Sequence, residues 1–309
     1  MSQDAALPSQ PLKAVIPAAG LATRFLPATK AVPKELLPMV DRPVLQLIVE
    51  EAAGAGINDI LLITGRGKTS MVDHFDRSPY LESRLAEKQD FDRLAAIKRP
   101  AELAEIYTCR QPEPLGLGDA ISYAESHVAA GSVVVMLPDE FLEEDRPMLP
   151  AMRALHERTG GIVLGLFEIR PEESARYGVV ATEPTDEFDD VLEHGHGPVF
   201  KLTHLVEKPP PAEAPSNLAV SGRYIMPPTI FDALRRTKPG ADGEIQFTDA
   251  MALMVAEGTP AHGIVYRGVR FDTGQPLGYV QAMVQMTLRQ NDIGPAFSDW
   301  LKDYVSRLP

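Results

Sequence analysis

The chain has a single cysteine, no long apolar run and a deficit of basic residues, and each shortage excludes a class of protein. Cys109 is the one cysteine in 309 residues, so no intramolecular disulfide can form. No apolar stretch approaches the length needed to span a bilayer, which argues against a membrane partner. Residues 1–11 lack the basic and apolar regions of a secretory signal. We therefore expect them to form a disordered polar tail, and we expect a cytoplasmic protein.

The charge balance is acidic. The sequence contains 30 Lys and Arg residues against 43 Asp and Glu residues, which gives a formal net charge of −13. Non-specific binding of nucleic acid needs a basic surface, so nucleic acid is not an expected partner. If the substrates are phosphates, the cations that bind them must be gathered at one place against the overall negative field.

A cluster of basic residues follows the first apolar run, Leu12–Pro17. That run is typical of a buried strand. The next segment contains Gly20 and then Arg24, Lys30 and Lys34, spread over three prolines. A glycine lets the backbone approach a phosphate closely, and free N–H groups can point at it. Side-chain cations neutralise the phosphate charge. The pattern favours an anion-binding loop over an ordinary solvated one.

Apolar strand-like runs alternate with amphipathic segments, which predicts an α/β fold in a single domain over residues 12–309. We expect a Rossmann-like, mixed and mainly parallel central sheet flanked by helices, one of them over Tyr80–Ile97. Ligands of such sheets bind beyond the carboxyl ends of the strands. The acidic stretch 183–198 is predicted to be an exposed hairpin or flap. The predicted strands are Leu12–Pro17, Ile60–Thr64, Ile106–Cys109, Val133–Leu137, Ile162–Phe167, Tyr177–Thr182, Val199–Val206, Ala219–Ile225 and Gly263–Tyr266.

Two aspartates stand where buried strands end. Asp139 follows the apolar run Val133–Leu137 and Pro138, and Asp272 follows Phe271 and precedes a tight turn. Such carboxylates suit Mg²⁺, which takes one or two of them together with substrate phosphates. Each signal is weak singly, because an aspartate often starts a turn. The acidic residues that follow, Glu140 and 143–145, are predicted to form a solvated face.

Two further motifs imitate ligand sites. Residues 65–69 (GRGKT) follow a strand and look like the end of a P-loop, but Leu62 occupies the position of the first P-loop glycine. A plain turn is the better prediction. His194 and His196 suggest a metal site, yet no cysteine or carboxylate set stands at a defined spacing from them, so an exposed pair is expected.

The segment Ala18–Pro38 resembles, almost residue for residue, the signature of the sugar-1-phosphate nucleotidyltransferases. The loop of that family usually contains G-L-G-T-R, and here Ala22 replaces the second glycine. An alanine is harmless there if the backbone has negative φ, and costly if it does not. The resemblance extends from Lys13 to about Asn291 and implies the family's sheet architecture. It also implies a nucleotide-binding half over 12–160 and a sugar-binding half over 161–309.

The resemblance implies a role for each matching residue. Lys34 is expected on the phosphates, Arg24 on the leaving pyrophosphate, and Asp139 and Asp272 on one shared Mg²⁺. The Gln111 amide carries a donor and an acceptor, which match the edge of uracil. The implied catalytic residues are Arg24, Lys34, Asp139 and Lys208; the nucleotide-binding residues are Ala18, Ala19, Gly20, Thr23, Glu35, Gln111 and Gly116; and the sugar-phosphate-binding residues are Gly178, Glu207, Lys208 and Ser221.

The implied activity is the Mg²⁺-dependent conversion of UTP and α-glucose 1-phosphate to UDP-glucose and pyrophosphate. A thymidylyltransferase on the same fold and an inactive paralogue that senses nucleotide sugars remain alternatives. A dinucleotide-dependent dehydrogenase is disfavoured, because no G-x-G-x-x-G follows the first strand. The resemblance further implies a homodimer or homotetramer, for which the predicted C-terminal helices near Leu277–Met286 and Phe297–Tyr304 would supply the interface.

Overall fold

The computed structural model describes residues 11–143, 145–192, 196–240 and 243–308, and within them a nine-stranded sheet forms the centre of the molecule. Of the predicted tail only its last residue is described, and His194 lies outside the described residues. The strands of this sheet and of two short two-stranded sheets are β1 (Lys13–Ala18), β2 (Pro38–Met39), β3 (Arg42–Pro43), β4 (Asp59–Thr64), β5 (Glu105–Arg110), β6 (Val133–Met136), β7 (Glu140–Leu142), β8 (Ile162–Glu168), β9 (Gly178–Pro184), β10 (Val199–Glu207), β11 (Leu218–Met226), β12 (Ala261–Val265) and β13 (Arg270–Asp272).

The strand order of the large sheet is β5-β4-β1-β6-β11-β8-β12-β10-β9, with β9 also pairing with β11. The first four strands are parallel to one another. From β11 onward the pairing is antiparallel, except that β8 and β12 run parallel. The predicted α/β class and mixed sheet are confirmed, with the parallel pairing concentrated in the first half of the chain.

Helices cover both faces of the sheet. They are α1 (Val44–Gly54), α2 (Ser70–Asp73), α3 (Pro79–Glu87), α4 (Phe91–Lys98), α5 (Leu117–Ser122), α6 (Glu125–Val128), α7 (Leu149–Thr159), α8 (Ile230–Arg236), α9 (Phe247–Ala256), α10 (Pro276–Arg289) and α11 (Gly294–Ser306). Successive side chains of β1 enter opposite apolar cores, with Ala14 and Ile16 in one and Val15 in the other. Across the residues that can be described, no helix has the length and apolar character needed to cross a bilayer.

The short antiparallel pair β7–β13 decides where the functional residues lie. Glu140 of β7 is paired with Asp272 of β13, and Phe141 stacks on Phe271 with ring centres 4.6 Å apart. Asp139 immediately precedes β7. The pair therefore brings together two aspartates that are far apart in the sequence.

Two predicted elements differ from the structure. The helix expected over Tyr80–Ile97 is interrupted between α3 and α4, because Gln89 adopts φ 58° and the Asp90 side chain accepts the N–H of Arg93 to start a new helix. The stretch 183–198 is not wholly an exposed flap, since Phe188 and Val191 are buried against the core.

Candidate active site

Two cavities adjoin beyond the carboxyl ends of β1, β5 and β6, where ligands of this fold are expected. The loop cavity, of about 490 Å³, lies between the loop after β1 and the segment around Gln111. The strand cavity, of about 500 Å³, is lined by Gly178 and Glu207. The cavities share four lining residues: Leu117, Leu137, Asp139 and Glu244. They therefore form one continuous cleft with Asp139 at its middle.

The loop after β1 forms one side of the loop cavity. Ala19, Gly20 and Thr23 line it, as the resemblance implies, whereas Ala18 is buried at the end of β1. Ala22 has φ 53° and ψ 38°, a left-handed conformation that favours glycine. Its carbonyl oxygen accepts the Thr29 hydroxyl at 2.8 Å, which helps to hold this conformation. The alanine is therefore at a strained position of the loop.

Lys34 and Asp139 form an ion pair at the junction of the cavities. Lys34 Nζ donates to Asp139 Oδ2 at 2.9 Å. Burial alone would raise the pKa of Asp139, but the Lys34 ammonium outweighs it, with a smaller contribution from Arg24, and holds that pKa below its ordinary value. Arg24 lines the strand cavity and reaches the carbonyl oxygen of Gly274 at 3.4 Å. The structure thus brings three predicted catalytic residues together.

Asp139 and Asp272 face a common point. A Cβ built on Gly274 would lie 3.1 Å from Asp139 Oδ2 and 3.3 Å from Asp272 Oδ1. Thr273 ties the two strands together, because its N–H and its hydroxyl both donate to the Asp139 carbonyl, at 2.8 and 2.9 Å. The described residues contain no group of three or more metal-binding side chains. Two carboxylates without a third protein ligand fit Mg²⁺, which takes its other oxygens from water and phosphate.

Glu35 and Lys68 form a second, more buried ion pair. Glu35 is 1% exposed, and Lys68 Nζ lies 3.1 Å from its Oε2 and 2.6 Å from the carbonyl oxygen of Ala18. Burial lowers the pKa of Lys68, and the carboxylate of Glu35 only partly offsets that effect. The turn at 65–69 therefore has a further structural role. Its Lys68 connects the end of β4 to the loop after β1. The basic residues of the GRGKT pattern are the sequence signal that could have pointed to this contact.

Gln111 is nearly buried beside the loop cavity, with 6% of its surface exposed. Its Nε2 donates to the Gly116 carbonyl at 3.2 Å and to Asp119 Oδ2 at 2.7 Å. Because a carboxylate only accepts, the amide orientation is fixed and Oε1 is left to accept from a ligand. Gly116 has φ 101°, and a Cβ there would lie 2.8 Å from the Ile245 carbonyl. Only glycine fits this position.

The strand cavity is lined by three of the predicted sugar-side residues, Gly178, Glu207 and Lys208. Lys208, at φ 46°, has its Nζ 3.0 Å from Glu207 Oε1 and its N–H bonded to the Tyr177 carbonyl. The Thr248 hydroxyl donates to Glu207 Oε2 at 2.6 Å. A Cβ on Gly178 would lie 3.3 Å from that same oxygen, so the glycine keeps the space in front of the carboxylate open.

Three further residues, His196, Ser221 and Glu140, are placed differently from expectation. His196 was expected to be exposed, but only 6% of its surface is exposed. Ser221 is fully buried and faces Gly165 of β8, so the structure does not bring its side chain to the cleft; its neighbours Val220 and Gly222 line it instead. Glu140 was predicted to be solvated, and this is wrong. It is 7% exposed and bonds Arg270 and the N–H of Gly222, because β7 turns it into the cleft.

Comparison with known proteins shows which family the chain belongs to. The nucleotidyl transferase family model matches residues 13–289. The UTP–glucose-1-phosphate uridylyltransferase YngB of Bacillus subtilis is 43% identical over 295 residues, which cover 96% of each chain. UTP–glucose-1-phosphate uridylyltransferase 2 of Staphylococcus saprophyticus is 41% identical over 94% of this chain and 96% of its own.

Solved structures agree. The UTP-bound UGPase from Acinetobacter baumannii superposes with a TM-score of 0.84 at 35% identity, over 97% of this chain and all of that one. A UDP-glucose pyrophosphorylase complexed with UDP-glucose gives a TM-score of 0.78 at 36% identity, over 91% of this chain and 100% of its own. The chain therefore belongs to the nucleotidyl transferase family.

Proposed function

We propose that this protein transfers the uridylyl group of UTP to α-glucose 1-phosphate, giving UDP-glucose and pyrophosphate. The observation that carries the proposal is the continuous cleft in which Lys34, Asp139 and Asp272 lie between the loop cavity and the strand cavity. Relatives named for this activity match the chain nearly from end to end. The cleft thus offers one side to a nucleotide and the other to a sugar phosphate.

In the proposed complex the triphosphate follows the loop after β1, whose backbone N–H groups and cations neutralise it. The uracil lies against Gly116, which lines the loop cavity together with Gln111. Gln111 Oε1 accepts the uracil N3–H, because both hydrogens of its amide nitrogen are already used within the protein. Glu35 and Lys68 act from behind the loop, by fixing the carbonyl of Ala18.

The sugar phosphate occupies the strand cavity. Glu207, held by Thr248, accepts hydrogen bonds from hexose hydroxyls, and the Gly178 backbone packs against the ring. Lys208 is the cation nearest to Glu207 and is proposed to hold the attacking phosphate. Binding the two substrates in one cleft converts a reaction between two anions into an oriented step within one complex.

The chemical step needs no strong base, since the nucleophile is an ionised phosphate oxygen. That oxygen forms a new bond to the α-phosphorus of UTP, and the bond from the α-phosphorus to the bridging oxygen breaks. Pyrophosphate leaves with the electron pair. Lys34 neutralises charge that moves at the α-phosphate, and Arg24 neutralises the departing pyrophosphate.

Asp139 and Asp272 are the residues that would hold Mg²⁺, which when bound offsets charge on the phosphates. Both carboxylates face one point beside Gly274, which supports a shared ion at this place. Burial opposes ionisation of Asp139, and the Lys34 ammonium outweighs this effect and holds the pKa of Asp139 below its ordinary value.

Pyrophosphate release tests the proposal. The purified protein is given glucose 1-phosphate with UTP, dTTP, ATP, CTP or GTP in turn, and the rate is compared at equal concentrations. The proposal predicts clear preference for UTP. Faster release with dTTP would identify a thymidylyltransferase, and no release with any nucleotide, in a protein that still binds UDP-glucose, would identify an inactive sensor.

We also propose that the protein is a homodimer or homotetramer assembled through α10 and α11. These helices expose Leu277, Val280, Trp300 and Val305, each more than half exposed. Trp300 stacks on both Phe297 and Tyr304, so aromatic rings follow one another along α11. Exposed apolar side chains grouped in this way are typical of an interface.

A further inference from the structure

Arg270 and Glu140 form a buried ion pair inside the cleft that none of the roles above uses. Their side chains are 15% and 9% exposed, and both residues line the strand cavity. Arg270 Nη1 donates to Glu140 Oε2 at 2.6 Å. A buried charge pair of this kind is a poor source of net stability, because desolvation of the two ions cancels much of their attraction. Its position therefore calls for another explanation.

The guanidinium of Arg270 contacts side chains from three separate segments of the chain. Besides Glu140, it donates from Nη2 to the Tyr177 hydroxyl at 3.4 Å, and its carbon lies 3.8 Å from the centre of the Phe167 ring. The second oxygen of Glu140 accepts the N–H of Gly222 at 2.5 Å. One ion pair thus contacts β8, β11 and the segment that leads into β9.

The same pair is connected directly to the two metal-binding candidates. Glu140 follows Asp139 in the chain and is paired with Asp272 across the β7–β13 sheet. Arg270 lies two residues before Asp272. The Tyr177 hydroxyl, which receives a hydrogen bond from Arg270, lies 3.5 Å from Asp272 Oδ2. A shift of the guanidinium would therefore move both carboxylates and the hexose-side backbone at Gly178 together.

We propose that Arg270, with Glu140, is a positioning residue that couples the placement of the Asp139–Asp272 pair to the sugar-binding side of the cleft. This inference rests on the proposed function. The charge of Arg270 is balanced by Glu140, so the pair supplies orientation and not a free cation for the substrate. Arginine is required because its planar fork meets two acceptors while its face stacks on an aromatic ring, which a lysine ammonium cannot do.

The chain supplies a matched control on the opposite face of the same two-stranded sheet. Arg289 Nη2 lies 2.8 Å from Glu143 Oε1, and its guanidinium carbon is 5.4 Å from the centre of the Phe271 ring. This pair also combines an arginine, a glutamate and an aromatic ring beside β7 and β13. It lines a different cavity, which contains none of the residues assigned above to either substrate.

The experiment compares Arg270→Lys and Glu140→Gln with Arg289→Lys and Glu143→Gln. Each protein is measured for its unfolding midpoint, for UDP-glucose affinity by calorimetry, for KM of each substrate, and for the Mg²⁺ concentration that gives half-maximal rate. For Arg270→Lys and Glu140→Gln we expect KM for glucose 1-phosphate and the Mg²⁺ requirement to rise about tenfold or more, as misplacement of reacting groups does. UDP-glucose affinity should fall in parallel, while KM for UTP changes less than about twofold.

The control variants should leave the UDP-glucose affinity, both KM values and the Mg²⁺ requirement within about twofold of the parent protein, and they should unfold close to its midpoint. The inference is overturned if Arg270→Lys behaves like Arg289→Lys, or if it raises KM for UTP and glucose 1-phosphate equally. If Arg270→Lys does not fold, Glu140→Gln decides, since it keeps the shape of the carboxyl group. Failure of the parent protein to turn over UTP and glucose 1-phosphate would refute the proposed function, whereas calorimetry with UDP-glucose still reports on the pair.

Discussion

Ala22 offers a direct measurement of strain in the nucleotide loop. The residue adopts φ 53° and ψ 38°, and its carbonyl accepts both the Phe25 N–H at 3.2 Å and the Thr29 hydroxyl at 2.8 Å. These bonds fix the backbone, so the alanine cannot relax to a right-handed conformation without breaking them. Glycine is the usual residue at this position of the family's G-L-G-T-R loop, and Ala22→Gly should relieve the strain.

The magnitude follows from two opposing terms. A left-handed conformation costs an alanine roughly 1–2 kcal/mol that glycine does not incur. Glycine also makes the unfolded chain more disordered, which reduces stability by about 0.4–1 kcal/mol. Ala28 is an exposed residue in a 3-10 turn of the same loop and provides the control, because Ala28→Gly changes only the disorder of the unfolded chain. The free energies of unfolding of Ala22→Gly and Ala28→Gly should therefore differ by about 1–2 kcal/mol.

Equilibrium urea denaturation of the two variants and the parent protein measures this difference. Ala22→Gly should equal or exceed the parent in stability, Ala28→Gly should fall below it, and both should retain the parent's kcat. In thermal unfolding the two variants should be separated by about 2–4 °C. Equal losses of stability in both variants would show that the left-handed backbone at Ala22 carries no strain.

Four further predictions concern the substrates and the assembly. Gln111→Ala should weaken UTP binding by about 1–3 kcal/mol in calorimetry, and unchanged binding would mean that another group recognises the base. Asp139→Asn and Asp272→Asn should each lower kcat by orders of magnitude in a folded protein, so near-normal turnover by either would remove it from the metal site. Lys34→Ala should lower kcat strongly with little change in KM for glucose 1-phosphate, whereas Lys208→Ala should raise that KM; an increase confined to KM for UTP in Lys208→Ala would reverse the assignment. Light scattering at micromolar concentration should give a multiple of 33.7 kDa, and a mass near the single-chain value would refute the proposed α10–α11 interface.

The parts of the site that were predictable from sequence are those that depend on local pattern. Asp139 ends an apolar strand and Lys34 follows a proline in the first loop, so both could be located before the fold was known. The alternation of side chains along a strand could also have shown that the Ser221 side chain points away from the cleft. Because Val220 and Gly222 face the cleft, the residue between them faces the other way.

The parts that were missed depend on partners far apart in the chain. Glu140 looks like one more residue of an acidic run until Arg270, 130 positions later, is placed beside it by the β7–β13 pair. Lys68 likewise belongs to a motif that fails as a P-loop and gains its role only when Glu35 meets it behind the first loop. Short strands such as β7 have too few residues for a periodic signal, so their pairing cannot be inferred from sequence alone.

Phosphorus NMR of a single reaction mixture tests the central claim most directly. The purified protein is incubated with Mg²⁺, UTP and glucose 1-phosphate, and the fate of each phosphorus atom is followed. Direct transfer predicts that the UTP and glucose 1-phosphate signals fall together while UDP-glucose and pyrophosphate appear in equal amounts. Orthophosphate or UMP growing at the expense of UTP, with the glucose 1-phosphate signal unchanged, would contradict it.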